Sequence, residues 1–195
     1  MNMEKEHHVR GRSGMTLVEL MISLVIFGVV IAVVFGFLTE SRRSYTATRQ
    51  KAQYQQGLRA VMSLVTREVR SAGCDPEDAG FERFSTASAT QVHFRMDLNG
   101  DADVTDNAPD EDVTYAFDAG AGTLSRDTGG GPVVILRDLA NVTFDYFDED
   151  GNLLTAFPLN ATDRSAIRAV TLTMSGETDK HEPVDYSTRI VVRNN

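Results

Sequence analysis

Nineteen consecutive residues, Leu20 to Leu38, carry no charge, and Glu19 stands immediately before them. As a helix the run spans about 28 Å at ~1.5 Å per residue, close to the ~30 Å hydrocarbon core of a bilayer. It is longer than the ~7–15 residue apolar core of a cleaved secretory signal. The stretch after it, "TESRRSYTATRQ", offers no small-residue cleavage site. The pattern predicts a membrane-spanning helix. Gly28 and Gly36 interrupt it. Each costs about 1 kcal/mol of helix stability relative to alanine; either a transmembrane helix simply tolerates them, or the segment between them can unwind when the helix is packed among others.

Beyond the run the period stays helical. Tyr45, Thr48, Ala52, Gln55, Leu58, Met62, Val65 and Val69 recur at spacings of three and four. The stripe is polar near the membrane and strongly apolar from Leu58 onward, so the second half is predicted to clamp against a globular body. One helix from Met15 to Arg70 is expected, with Gly73 as its stop.

From Gln91 the period changes to two. The segments "QVHFRMDL", "DVTYAFDA", "TLSRD", "PVVILRD", "NVTFDYFD", "NLLTAF", "SAIRAVTLTMS" and "DYSTRIVVRN" read as strands. The alternation is clearest in Val142, Phe144, Tyr146 and in Val170, Leu172, Met174. "DEDG" before Asn152 and "AGAG" before Thr123 are turn signals. One antiparallel sheet packed on the upper half of the helix buries both apolar faces. The expected class is α+β, with a leader over 1–14, a membrane half over 15–38, an amphipathic half over 39–73 and a β-rich domain over 74–195.

Charge sharpens this division. Residues 1–70 hold 10 Lys/Arg against 5 Asp/Glu, a net of +5, whereas residues 71–195 hold 9 against 23, a net of −14. An acidic body argues against nucleic acid as a ligand, since phosphate contacts need Lys and Arg. The single cysteine, Cys74, excludes an intrachain disulfide; it reads as a small buried hydrophobe or an idle thiol, with pairing between chains as the alternative.

Glu19 is the residue that composition does not explain. Placed at membrane depth, a carboxylate costs on the order of 2.5–3.5 kcal/mol and needs a partner. The alternative is a glutamate in the headgroup region at little cost. A cut after Gly14 would create an amine on Met15, four residues upstream and within reach of a carboxylate at 19.

"SGMTLVEL" resembles the processing signal of type IV prepilins and of type II secretion pseudopilins: a short basic leader, glycine, an apolar residue, threonine, two apolar residues and glutamate. The resemblance implies cleavage between Gly14 and Met15 by a prepilin peptidase on the cytoplasmic side, then N-methylation of Met15. It implies that Glu19 pairs with the Met15 amine of a neighbouring subunit. Met15 stands where phenylalanine is most common. The implied topology is a single pass of the inner membrane, leader inside and body outside, followed by transfer to a filament. Implied partners are the peptidase, other major and minor pilins and the assembly platform of the inner membrane.

Within this superfamily "LRAVMSLVTREVRSAGCD", "LANVTFDYFDEDGNLL", "IRAVTLTMSG" and "RIVVRNN" resemble PilW-type minor pilins, relatives of the J-type minor pseudopilins. The function this implies is initiation, assembly or tip formation of a type IV pilus, by packing and not by catalysis. Two alternatives stay open: a minor pseudopilin of a type II secretion system, and a membrane-anchored binding protein that never polymerises.

One loop suggests a metal. In "DLNGDADVTDNAPDED", Asp97, Asn99, Asp101 and Asp103 alternate around Gly100, resembling the first half of a calcium loop. The usual sixth-position glycine is Ala102 and the twelfth-position acid is Ala108, so a late ligand must come from Asp106, Asp110, Glu111 or Asp112. The competing reading is a solvated acidic turn. The histidines, His7, His8, His93 and His181, are too dispersed for a zinc site. No nucleophile motif or phosphate loop is present, and "TGGGP" reads as a strand-to-strand loop.

Overall fold

A computed structural model describes residues 14–106, 108–177 and 183–193. The leader up to Ser13, with His7 and His8, lies outside them, as do His181 and the last two residues. The chain divides into two units, Met1–Thr46 and Ala47–Asn195.

Helix α1, Leu17–Ser71, begins in the first unit and ends in the second. It starts two residues later than expected and runs unbroken through Gly28 and Gly36. In the first unit every large apolar side chain from Met15 to Leu38 is exposed. The segment is long and apolar enough to cross a membrane.

Among the described residues the second unit holds nine strands in two antiparallel sheets. The first sheet is a meander of β1 (Phe84–Ala87), β2 (Gln91–Arg95), β3 (Asp112–Asp118), β4 (Thr123–Asp127) and β5 (Val133–Leu136). The second contains β6 (Leu139–Phe147), β7 (Leu153–Leu154), β8 (Ala169–Glu177) and β9 (Pro183–Val191), in the order β7-β6-β8-β9. The long helix over antiparallel sheet architecture is present, with the strands shared between two sheets instead of one. The division falls after β5, where Asp138 takes a left-handed φ of 61° and redirects the chain.

Alternation determines the register. Val142 faces Met174, Phe144 faces Leu172 and Tyr146 faces Val170, and all six are fully buried. In the first sheet Phe94 faces Val113 and Val92 faces Tyr115, again all buried. A one-residue slip would turn each set outward. Leu58, Val61, Met62, Val65 and Val69 of α1, with Ala72 just past its end, join both sheets in one core. The helical stripe therefore buries from Leu58 onward, as its composition predicts. Each of these Leu, Val and Met side chains contributes about 1.5–3 kcal/mol on burial. Cys74 packs against this core.

Two elements were not foreseen. Strand β1 contributes only Phe84 and Ala87 to the interior. Helix α2, Ala161–Ala166, is a six-residue turn capped by Asn160, whose side chain accepts from the Asp163 N–H. The turn signals did form turns. Gly151, at φ 81°, closes the β6–β7 hairpin, and Gly122, at φ 62°, closes β3–β4. In "TGGGP" the Gly129 and Gly131 N–H groups both donate to Asp127 within the chain, so the loop holds itself and presents no anion cradle with them.

Gly73 ends the amphipathic half of α1. It takes φ 75°, and its N–H donates to the Arg95 carbonyl at 2.8 Å. A Cβ there would lie 2.5 Å from Arg83 Cδ, and the Arg83 guanidinium donates to the Ile167 carbonyl at 2.6 Å. Gly73→Ala is expected to cost about 2 kcal/mol, and a chain of this size then melts roughly 4–8 °C lower. Gly80 has φ 77° with open space at its Cβ position. Gly80→Ala isolates the backbone cost and is expected to lose about half as much. Equal losses in thermal melts would remove the contact with Arg83 from the account.

Candidate functional site

Residues 14–19 and the acidic loop fall in different units. In the first unit Gly14, Met15 and Thr16 lie in irregular backbone before α1. Thr16 caps the helix: its Oγ1 accepts from the Glu19 N–H at 3.3 Å, and its carbonyl accepts from the Leu20 N–H at 3.1 Å. Thr16-x-x-Glu19 has the spacing of a capping box, and the bond from the Glu19 N–H is the half of it that forms. Glu19 thus occupies the third helical position, where the partial positive charge of the helix N-terminus favours a carboxylate. Its side chain is exposed. A Cβ built on Gly14 meets nothing within 4 Å, and the same holds at Gly28 and Gly36. The chain's own packing places no demand for glycine at these positions.

In the second unit the acidic loop joins β2 to β3. Asp97 and Glu111 are fully buried, and Asp101 is exposed. One carboxylate oxygen from each lies within 4.8 Å of the other two. Asp97 Oδ1 accepts from the Gly100 N–H at 2.6 Å and Oδ2 from the Ala102 N–H at 3.0 Å. Ala102 stands at φ 66°, the left-handed conformation that glycine usually supplies at the sixth position of a calcium loop. Glu111 Oε1 accepts from the N–H groups of Leu98, at 2.7 Å, and Asn99, at 3.2 Å. Glu111 Oε2 is buried with no hydrogen-bond partner among the described residues.

The remaining loop acids are employed elsewhere. Asn99 accepts from the Asp101 N–H, and its amide donates to Asp101 and Asp106. Asp103 turns to its own neighbours: bonds from the Thr105 hydroxyl, then from the Thr105 and Val104 N–H groups, hold its carboxyl below the usual range. Asp110 pairs with Arg126 at 2.8 Å, and Asp112 is shared by His93 and Arg95. The structure therefore gathers Asp97, Asp101 and Glu111, leaves Asn99 beside them and directs Asp103 away.

Strand pairing also assembles a group that sequence spacing hides. His93 Nε2 hydrogen-bonds Asp112, and its Nδ1 lies 2.6 Å from Ser85 Oγ. The order Ser–His–Asp invites comparison with a nucleophilic triad. Here the three sit on adjacent strands of one sheet, with Ser85 at the bulge of β1, and the aspartate also accepts from Arg95 Nε at 3.3 Å. We read it as a cross-strand polar ladder. Near the end of α1, Arg67, Arg70 and Arg193 line an open cavity of about 640 Å³.

A pilin-type N-terminus ahead of a helix-and-sheet body defines a class, and the comparisons agree with it. Residues 9–35 match the prokaryotic N-terminal methylation motif. Residues 47–194 match prepilin peptidase-dependent protein B over most of the chain, and the chain belongs to that family. No curated protein matches it.

Proposed function

We propose that the chain is a minor pilin of the PilW type that takes part in starting or capping a type IV pilus. One observation carries this reading. The first unit presents an apolar helix with every large side chain exposed, headed by the Gly14–Met15–Thr16…Glu19 signal. Such a surface needs lipid or other apolar helices around it. Membership of a prepilin peptidase-dependent family supports processing between Gly14 and Met15, with methylation of Met15. The open space at Gly14 supports a glycine selected by an enzyme cleft and not by the fold. In this reading the helix first holds the subunit in the inner membrane with the leader in the cytoplasm. The subunit then enters a filament at the cell surface, packed among other pilins by the assembly platform.

The test is the intact mass and N-terminal sequence of the chain extracted from membranes of cells with an active prepilin peptidase. A chain that begins at methylated Met15 and is recovered with sheared pili is expected. Retention of residues 1–14 would overturn the assembly reading and leave a plain membrane anchor. Recovery only with a secretion apparatus would move the chain to the pseudopilins.

A further inference from the structure

We propose that the loop from Asp97 to Glu111 is a calcium site held by Asp97, Asp101 and Glu111, independent of whether the chain enters a filament. Three observations converge. First, the three carboxylate oxygens lie within 4.8 Å of one another. Calcium binds oxygen at about 2.3–2.6 Å, so oxygens on opposite sides of one ion are about 4.6–5.2 Å apart, and adjacent ones closer.

Second, Asp97 and Glu111 are both fully buried and lie side by side. Among the described residues no Lys, Arg or His forms an ion pair with either. Two buried like charges repel and are poorly solvated, so an uncompensated pair is strongly disfavoured. Backbone N–H groups answer part of this: two on Asp97 and two on Glu111 Oε1. Among the described residues they leave Glu111 Oε2 buried and without a donor. A buried anionic oxygen with no partner marks the position of something not supplied by the chain.

Third, the donor set is oxygen alone, which suits calcium and magnesium over softer metals. An irregular loop with one exposed carboxylate, Asp101, suits the flexible coordination of calcium better than the strict octahedron of magnesium. The departures from the usual calcium loop now have an explanation. Ala102 adopts the left-handed turn that glycine would provide, and Glu111 supplies the closing carboxylate three positions after Ala108. The Asp97 N–H donates to the Cys74 carbonyl at 2.7 Å, so an ion here also secures the segment that follows α1.

The experiment uses the full chain in detergent at pH 7.5, stripped with chelator, then titrated with calcium chloride while thermal unfolding is followed. With the weak affinities of extracellular calcium modules, about 5 mM calcium is expected to raise the melting temperature by roughly 3–8 °C. Glu111→Gln keeps the acceptor for Leu98 and Asn99 but removes the charge. It is expected to melt higher than the natural chain in chelator and to lose the calcium response. Asp101→Asn changes an exposed side chain, so it folds, and is expected to weaken calcium binding at least tenfold. Terbium luminescence should report one ion per chain. An unchanged melting temperature in calcium overturns the proposal, and so does a full calcium response in Glu111→Gln. An equal shift with magnesium chloride overturns the assignment to calcium.

Discussion

Arg126→Ala is expected to lower the stability of the folded domain by about 3 kcal/mol, a fall in melting temperature of roughly 6–12 °C. Arg126 Nη2 lies 2.9 Å from Glu68 Oε1, and Nε lies 3.2 Å from Oε2, so the guanidinium grips the carboxylate side-on. The same Nη2 reaches Asp110 at 2.8 Å, and the Tyr115 hydroxyl donates to Glu68 Oε2 at 2.5 Å. The Glu68 side chain is 11% exposed and that of Arg126 18%. Burial alone would lower the basicity of Arg126, but bonds to Glu68 and Asp110 outweigh it and hold the guanidinium above its usual range. Burial, then the Glu68 charge, raises the Tyr115 hydroxyl, which stays protonated as a donor.

Removing Arg126 leaves Glu68 nearly buried with one neutral donor, and the loss is mostly the penalty on that stranded charge. The network joins α1 to β3 and β4, so helix and first sheet loosen together. Adding Glu68→Gln to Arg126→Ala should recover part of the loss by removing the stranded charge. Thermal melts of the two variants decide the matter. A fall below 2 °C for Arg126→Ala would make the pair an ordinary surface ion pair, of the kind worth about 0–1 kcal/mol.

This network shows where sequence reading stops. The helical period placed Leu58, Val65 and Val69 in the core because large apolar residues repeat with the turn of the helix. Alternation likewise placed Val142, Phe144 and Tyr146 on one face. Neither period contains information about which strand lies beside which. The split into two sheets, the meeting of Glu68 with Arg126 and the ladder through His93 all depend on pairing between distant segments. Strand β1 escaped because "FSTA" has two small polar residues between its buried ends, and α2 because six residues are too few to display a helical period. The acidic loop was half legible. Its spacing announced Asp97 and Asp101, but four late acids were equivalent on paper. Chain direction separates them: Asp110 faces Arg126, Asp112 faces His93 and Arg95, and Glu111 turns into the loop. The Thr16-x-x-Glu19 spacing at the start of α1 was present in the sequence and needed only to be read beside the membrane run.

Glu19→Ala and Glu19→Gln should both leave the amount of chain in the membrane unchanged while reducing its recovery in sheared filaments at least tenfold. Two roles for Glu19 are separable by this pair. As the third helical residue it complements the helix N-terminus that Thr16 caps, a contribution of about 0.3–1 kcal/mol. Glutamine also serves at that position of a capping box, so a purely capping role predicts that Glu19→Gln behaves as the natural chain. As the partner of a methylated Met15 amine on a neighbouring subunit, Glu19 must carry a charge. Glutamine then fails almost as badly as alanine, because an amine packed among apolar helices is left unpaired. Breaking one side of a buried pair costs about 3–5 kcal/mol, and every 1.4 kcal/mol is about tenfold in association. The helix is the same in both variants, since the apolar run that inserts it, Leu20 to Leu38, is untouched. Normal recovery of Glu19→Gln would reduce Glu19 to a helix cap. Loss of both variants from the membrane would show instead that the glutamate acts before assembly, at insertion or processing.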